Sequence, residues 1–172
     1  MRRGVGDNVI EVIEFTKERG RNMNKINAIN PAYPQEYLES IVGITEFLFD
    51  KFISFDEYDY FSCVTEYMFN SYVRKGMDKG NPSALNKGIK QLINSVDFTV
   101  CRRTENSNSV IDGFVSNWIA DIYVVMQWKY NIASSEIIQK LPCEELYKLY
   151  NPLHEASIEV AIDKLYKLYI DK

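Results

Sequence analysis

Cysteine and histidine are scarce in this chain of 172 residues, and their scarcity excludes several kinds of site. The three cysteines, Cys63, Cys101 and Cys143, are odd in number and widely spaced, without a Cys-x-x-Cys pair. A disulfide framework needs paired cysteines, and a structural zinc site needs four Cys or His ligands at close spacing. The one histidine, His154, cannot supply several imidazole ligands. We therefore expect no metal, no cofactor and a reducing, cytoplasmic location.

Glycine, proline and long apolar runs are also few. Eight glycines and five prolines exclude collagen and low-complexity linkers, while 13% aromatic residues and a net charge of −4 argue against intrinsic disorder. The longest mostly apolar stretch, residues 114–128, is interrupted by Asn117, Asp121 and Gln127. It is shorter than the roughly 20 residues that span a bilayer, so we expect a folded protein without membrane insertion.

Apolar spacing predicts a single all-α domain over residues 1–172, with six to seven helices and a peripheral segment at residues 1–22. A capping box at Ser54 and Glu57 predicts the start of one helix, and Ser134 is predicted to cap another. Residues 96–101 alternate between apolar and polar and predict a short extended segment. The other predicted helices cover residues 7–19, 34–53, 82–94, 114–130, 142–150 and the segment after 154.

The segment from Phe114 to Tyr130 is apolar on almost every side, which predicts a central helix buried on most of its circumference. Asp121 lies on this helix, and together with His154 it is a candidate buried polar residue. A buried carboxylate must be paired or hydrogen-bonded, so structural pairing is the interpretation we favour. The alternative is an enzyme in which Asp121, His154 and Glu155 share a pocket. Catalysis is otherwise unsupported, because phosphate-binding and dinucleotide-binding motifs are absent.

Charge is segregated along the chain. Residues 74–103 hold seven basic and two acidic residues, whereas residues 26–73 hold one basic and eight acidic residues. The seven bases, which we call the basic block, are Arg74, Lys75, Lys79, Lys87, Lys90, Arg102 and Arg103.

The basic block has two interpretations. It predicts a surface that binds phosphate or nucleic acid, with backbone N–H groups supplied by Gly76, Gly80 and the helix start at Pro82. Lys87 and Lys90 are three residues apart and are expected to share a helix face. The interpretation that we favour is a solvated face whose bases pair with acidic residues within the fold or across a dimer.

Four tyrosines recur at three-residue spacing on the last two predicted helices, interleaved with lysines. They either close an edge of the core or form a protein interface, in which tyrosine is enriched. The core edge is slightly favoured, and an exposed stripe predicts a homodimer built from one self-complementary surface. The four candidate interface residues are Tyr147, Tyr150, Tyr166 and Tyr169.

The segment Tyr150-Asn-Pro-Leu153-His154-Glu-Ala-Ser157 resembles a Tyr-x-x-Leu-His-x-x-Ser segment of short bacterial helical proteins encoded beside ADP-ribosyltransferase-like genes. The resemblance covers the last third of the chain, and it implies a helical partner or antitoxin-like role in which these four residues are structural. Ile, Asn, Lys and Tyr outnumber Ala and Arg, as in proteins of AT-rich bacterial genomes. We therefore predict a bacterial helical protein that binds a partner protein or a second copy of itself, with nucleic-acid binding and catalysis as alternatives.

Overall fold

A computed structural model describes Met23, residues 26–107 and residues 110–172. The predicted helix over residues 7–19 and the peripheral segment at residues 1–22 therefore lie outside what the structure describes. The described part of the chain is an all-α single domain without strands, as predicted, but its ten α-helices exceed the expected six to seven. They are α1 (Leu38–Ser54), α2 (Tyr60–Asn70), α3 (Tyr72–Asp78), α4 (Pro82–Leu85), α5 (Ile89–Asn94), α6 (Gly113–Tyr130), α7 (Ser134–Lys140), α8 (Cys143–Lys148), α9 (Tyr150–Leu153) and α10 (Ile158–Leu165), followed by a π-helical turn at Tyr166–Ile170.

Helices α1 and α6 form the antiparallel pair at the centre of the domain. Trp128, near the end of α6, donates its indole N–H to the backbone oxygen of Tyr33, just before α1, at 2.8 Å. The end of α1 meets the start of α6 at the opposite side of the domain. All fourteen residues from position 115 to position 128 are buried, which confirms the prediction of a central helix. None of the described helices is long and apolar enough to cross a membrane.

Both ends of α6 are fixed by short polar residues. Asp112 precedes the helix, and its Oδ1 accepts a hydrogen bond from the backbone N–H of Phe114 at 2.8 Å. Asn131 follows the helix in the left-handed conformation, with a φ of 51°, which asparagine tolerates better than most residues. The N-cap therefore places a carboxylate at the start of the most buried helix.

Local breaks explain the additional helices. Ser71 leaves the helical conformation between α2 and α3, and its Oγ accepts a hydrogen bond from the backbone N–H of Arg74 at 3.1 Å. Gly88 is extended and divides the predicted helix over residues 82–94 into α4 and α5. Leu149 separates α8 from α9. Only the break at Gly88 divides a helix that the apolar spacing predicted as continuous, whereas α3 and α9 are additional short helices.

The predicted capping box at Ser54 is wrong. Helix α1 continues through Ser54, whose Oγ donates to the backbone oxygen of Lys51 at 2.7 Å. The next helix begins at Tyr60, and Asp59 caps it by accepting a hydrogen bond from the backbone N–H of Ser62 at 2.9 Å.

The predicted extended segment over residues 96–101 is also wrong, because Phe98–Val100 forms a 3₁₀ turn. Asp97 caps the turn by accepting a hydrogen bond from the backbone N–H of Thr99 at 3.0 Å. The ring of Phe98 packs against several aromatic side chains, including Tyr58 at a centroid distance of 4.8 Å. Tertiary aromatic packing therefore outweighs the local alternation.

Gly76 lies inside α3, where α3 approaches α4. A Cβ at this position would lie 2.7 Å from Cβ of Ala84, closer than such atoms normally approach. In a helix without such a clash, alanine is more favourable than glycine by up to about 1 kcal/mol. The steric clash therefore decides whether the substitution stabilises or destabilises the protein. We expect Gly76→Ala to lower the free energy of unfolding by about 1–3 kcal/mol in a denaturant titration. Gly113→Ala is the control, because its Cβ would meet nothing within 4 Å, and equal losses in both variants would contradict the expectation.

Candidate functional site

A cavity of about 370 Å³ lies where the end of α1 meets the start of α6. Its volume falls in the range of small ligand sites, about 300–1,000 Å³. Among the residues that the structure describes, two carboxylates line it and no basic side chain does. The lining residues, which we call the α1–α6 pocket, are Asp50, Ile53, Ser54, Asp112, Gly113, Phe114 and Asn117.

Asn117 lines the α1–α6 pocket and is 1% exposed. Its side-chain oxygen, Oδ1, is buried and has no hydrogen-bond partner among the residues that the structure describes. A buried polar atom that has lost water and gained no partner costs about 1–3 kcal/mol.

Two helix ends and one exposed carboxylate contribute charge at the α1–α6 pocket. The positive N-terminal end of α6 and the negative C-terminal end of α1 meet here, and their partial charges of roughly half a unit offset each other. Asp112 is exposed at the start of α6, where it accepts the N-cap hydrogen bond from Phe114 N–H.

One large apolar side chain in the lining of this pocket is exposed. Phe114, on the first turn of α6, is 75% exposed. Ile53, half-buried at the end of α1, adds apolar surface to the pocket lining. An aromatic side chain next to a partly polar cavity is the arrangement found at protein-binding hot spots.

The structure places the residues of the basic block in different environments. Arg74 is fully buried, so its predicted place in an anion-binding surface is wrong. Lys87 lies in the break between α4 and α5, so it does not share a helix face with Lys90 as predicted. Lys75, Lys79, Lys90, Arg102 and Arg103 are exposed, and Arg103 Nε donates to the backbone oxygen of Tyr58 at 2.9 Å.

The glycines and the helix start that were expected to present N–H groups to an anion have structural roles. Gly76 lies within α3, and Gly80 has a φ of 65° beside the backbone oxygen of Ala32. Helix α4 is a single short turn, and Asn81 already accepts a hydrogen bond from the backbone N–H of Ser83 at 2.9 Å. The geometry therefore offers no built phosphate cradle at these residues.

Arg74 instead joins α3, α6 and α7 from inside the domain. Its Nε lies 3.2 Å from Oδ1 of Asp78 and 2.8 Å from Oγ of Ser134. Its Nη2 donates to Oε1 of Gln127 at 2.9 Å. Burial by itself lowers the pKa of Arg74, but Asp78 and two nearby tyrosines together raise that pKa above its ordinary value. The guanidinium is thus a charged structural hub.

Asp78 also determines where α7 begins. Its Oδ2 accepts a hydrogen bond from the backbone N–H of Ser134 at 2.8 Å. Ser134, predicted as the cap of this helix, is its first residue, and Ala133 occupies the capping position without a side-chain hydrogen bond. The capping acceptor therefore comes from α3, which is distant in sequence.

The residues of the enzymatic alternative do not share a described pocket. Asp121 is fully buried on α6, as predicted, whereas His154 and Glu155 are exposed. The prediction that His154 is buried is therefore wrong, and its Nδ1 lies 3.0 Å from the backbone oxygen of Tyr150. In the described part of the chain, no group of three or more His, Cys, Asp or Glu residues has a metal-binding arrangement.

The four stripe tyrosines are half-buried and make contacts within the domain. The ring of Tyr166 stacks on Tyr130 at a centroid distance of 3.6 Å, and Tyr169 donates its hydroxyl to Glu145 at 3.2 Å. Tyr147 packs edge to face against Phe61, and Tyr150 packs edge to face against Trp118. These contacts match the core-edge interpretation and leave little of the stripe for an interface.

The residues that carry the sequence resemblance also make local contacts. Tyr150 stacks on His154 at a centroid distance of 4.5 Å, and Leu153 is buried. Ser157 caps α10, accepting a hydrogen bond from the backbone N–H of Val160 at 3.3 Å.

Two cysteines that are far apart in sequence meet in the structure. The interaction of the Cys63 and Cys101 thiols raises the pKa of Cys63 and lowers that of Cys101. The Cys101 thiol donates to the backbone oxygen of Asp97 at 3.4 Å. Cys101 is held in place because its backbone oxygen accepts a hydrogen bond from the N–H of Asp59 at 2.8 Å. All three cysteines, including Cys143, are buried as thiols.

Sequence reasoning missed the α1–α6 pocket as a site. The available signals were Asn117 within an apolar helix and Phe114 at the start of that helix, but neither shows which residues of α1 lie opposite. Comparison with known proteins finds no matching family model, no matching characterised protein and no matching solved structure.

Proposed function

We propose that the protein acts by binding a partner protein, and that the partner docks on the α1–α6 pocket. The observation that carries the proposal is the exposed ring of Phe114, which lines a cavity between two helix ends. Aromatic side chains that become buried on binding supply much of the energy of protein interfaces. The resemblance of the C-terminal third to antitoxin-like helical partners supports the same class of function.

Charge favours a different protein over a second copy of this chain. In a two-fold symmetric dimer the same surface patch lies on both subunits. A dimer centred on the α1–α6 pocket would bring the exposed carboxylate of Asp112 towards the same residue of the other copy. Opposed like charges are unfavourable, so a partner with basic residues fits this surface better.

Site-specific photo-crosslinking tests the proposal in the organism that encodes the protein. A photoreactive phenylalanine analogue at position 114 is expected to capture one defined protein, and Phe114→Ser is expected to weaken that complex at least tenfold. The matched control is Tyr72, an aromatic residue on α3 that is 64% exposed. Crosslinks from position 72 and the variant Tyr72→Ser should neither capture nor weaken the same complex.

Two outcomes would contradict the proposal. In the first, positions 114 and 72 capture the same mixture of proteins, as expected for non-specific collisions of exposed aromatic residues. In the second, a stoichiometric complex forms and retains its affinity in Phe114→Ser, which would place the interface elsewhere.

A further inference from the structure

We propose that Cys63 and Cys101 form a reversible oxidation site, in which a hydroperoxide converts the two thiols into a disulfide. The site shares no residue with the α1–α6 pocket and goes beyond the proposed binding of a partner. Three observations carry it: the backbone positions of the two cysteines, the interaction of their thiols and a cavity beside them.

One residue fixes the backbone of both cysteines. The backbone oxygen of Asp59 accepts a hydrogen bond from the N–H of Cys63 at 3.0 Å, and the N–H of Asp59 donates to the backbone oxygen of Cys101 at 2.8 Å. An isolated antiparallel bridge between Tyr58 and Arg102 joins the same two segments. The first turn of α2 and the end of the 3₁₀ turn are therefore held against each other, with one cysteine on each side.

Both cysteine side chains lie inside the domain. Cys63 and Cys101 are each 0% exposed, and their thiols interact, which raises the pKa of Cys63 and lowers that of Cys101. In a disulfide the two sulfurs lie about 2 Å apart, and cysteines whose side chains diverge cannot be bridged without backbone movement. Thiols that already interact, on segments that are hydrogen-bonded to each other, start close to the bridged arrangement.

A cavity of about 360 Å³ lies beside the pair. Its lining includes Ser62 and Val100, which directly precede Cys63 and Cys101 in the chain. Val100 is 61% exposed, so the cavity borders the surface of the domain. Hydrogen peroxide, which is small and uncharged, therefore has a route to within one residue of each cysteine.

The oxidation consumes one peroxide molecule. The thiolate is the reactive form of cysteine, and Cys101 supplies it because its pKa is the lower of the two. Its sulfur attacks one peroxide oxygen: an S–O bond forms, the O–O bond breaks, and the leaving hydroxide takes the proton released by Cys101, which gives water and a sulfenic acid. The Cys63 sulfur then attacks the Cys101 sulfur: the S–S bond forms, the S–O bond breaks, and the hydroxyl leaves with the Cys63 proton as water. Two thiols are oxidised, and one peroxide is reduced to two molecules of water.

The third cysteine is an internal control. Cys143 lines the same cavity and is 1% exposed, and burial raises the pKa of its thiol well above the ordinary value. Because less of this thiol is present as thiolate, we expect Cys143 to stay reduced. Selective pairing of the other two cysteines would then be a property of the fold.

Peroxide treatment of the full, folded chain tests the proposal. Free thiols are alkylated afterwards, and the digested protein is mapped by mass spectrometry. The expected product is a monomer with one disulfide between Cys63 and Cys101 and an alkylated Cys143, and dithiothreitol is expected to restore all three thiols. The same treatment in urea is the comparison, because the unfolded chain should give mixed pairings.

The disulfide is also expected to raise the thermal midpoint, Tm, by roughly 5–15 °C, because a cross-link that closes a loop of this length restricts the unfolded chain. In Cys63→Ser, peroxide is expected to leave a sulfenic acid at Cys101, which dimedone labels. Cys63→Ala takes its place if the serine variant does not fold, and the map of the unaltered chain depends on neither variant. Cys143→Ser is the matched control and should form the disulfide as the unaltered chain does.

Several results would overturn the proposal. The folded chain could keep all three thiols under conditions that oxidise the chain in urea, or the disulfide could involve Cys143 or a second copy of the protein. Pairings as mixed in the folded chain as in urea would have the same meaning. A disulfide that forms between Cys63 and Cys101 but lowers Tm would also overturn it, because the fold would then have to distort to close the bond.

Discussion

Replacing Arg74 with alanine is expected to lower the free energy of unfolding by about 3–5 kcal/mol, the usual loss when one partner of a buried ion pair is removed. The substitution leaves the Asp78 carboxylate and the Gln127 side chain without their charged partner and opens a cavity between three helices. Denaturant titration followed by circular dichroism measures the loss.

Lys75→Ala is the control, because Lys75 is exposed and adjacent on the same helix. Its effect should stay within about 0.5 kcal/mol. Arg74→Met tests the contribution of charge, since methionine keeps part of the buried volume. If Arg74→Ala costs less than about 1 kcal/mol, the hydrogen bonds to Asp78, Ser134 and Gln127 do not stabilise the fold, and the hub is refuted.

Alkaline pH is expected to unfold the protein steeply, because four buried tyrosines are held in their neutral form. Burial raises the pKa of Tyr33 to about 12 and raises the pKa of Tyr60, Tyr67 and Tyr123 above 10. In the unfolded chain these hydroxyls ionise near pH 10, so above that pH the unfolded state binds fewer protons than the folded state. The stabilisation is complete below pH 10 and is lost as the pH rises through the folded-state pKa values.

The expected fall of the free energy of unfolding with rising pH is steep enough to measure. While all four tyrosines stay protonated in the fold, stability falls by about 5 kcal/mol per pH unit above pH 10. A typical domain stability of 5–15 kcal/mol would then be exhausted within about one to three pH units. The chain has twelve tyrosines, so the last part of the rise in tyrosinate absorbance, from the four buried hydroxyls, is expected to coincide with the loss of the far-ultraviolet circular dichroism signal.

Tyr67→Phe should reduce the slope by about a quarter, because one of the four titrating hydroxyls is removed. Tyr72→Phe, at an exposed position, should leave the slope unchanged. Ionisation of the buried tyrosines near pH 10 with the helical signal intact would contradict this account.

The sequence predicts the helices better than it predicts their boundaries. The burial of α6 is predictable because apolar residues surround the helix on every side. The 3₁₀ turn at Phe98 is not, since the ring of Phe98 packs against Tyr58, which is distant in sequence. The prediction that Ser134 caps α7 fails for the same reason, because the capping acceptor is Asp78 on α3.

Two features that the sequence suggested as functional, Arg74 and the tyrosine stripe, make contacts within the domain instead. Arg74 counted towards a basic surface because composition cannot distinguish a solvated arginine from a buried one. The tyrosine stripe, at residues 147–169, lies largely within the domain. Asn117 was visible as a polar interruption, but its unsatisfied oxygen is a property of the surrounding contacts.

The amino-acid sequence by itself determined an all-α domain with a buried central helix, because helical periodicity and apolar composition are local properties of the chain. Only the tertiary structure decided which polar residues are satisfied inside the domain and which face a cavity. It buries Arg74 among α3, α6 and α7, and it brings the end of α1 to the start of α6. The antiparallel packing of those two helices places Asp50 beside Asp112 and Asn117, although more than sixty residues separate them in sequence.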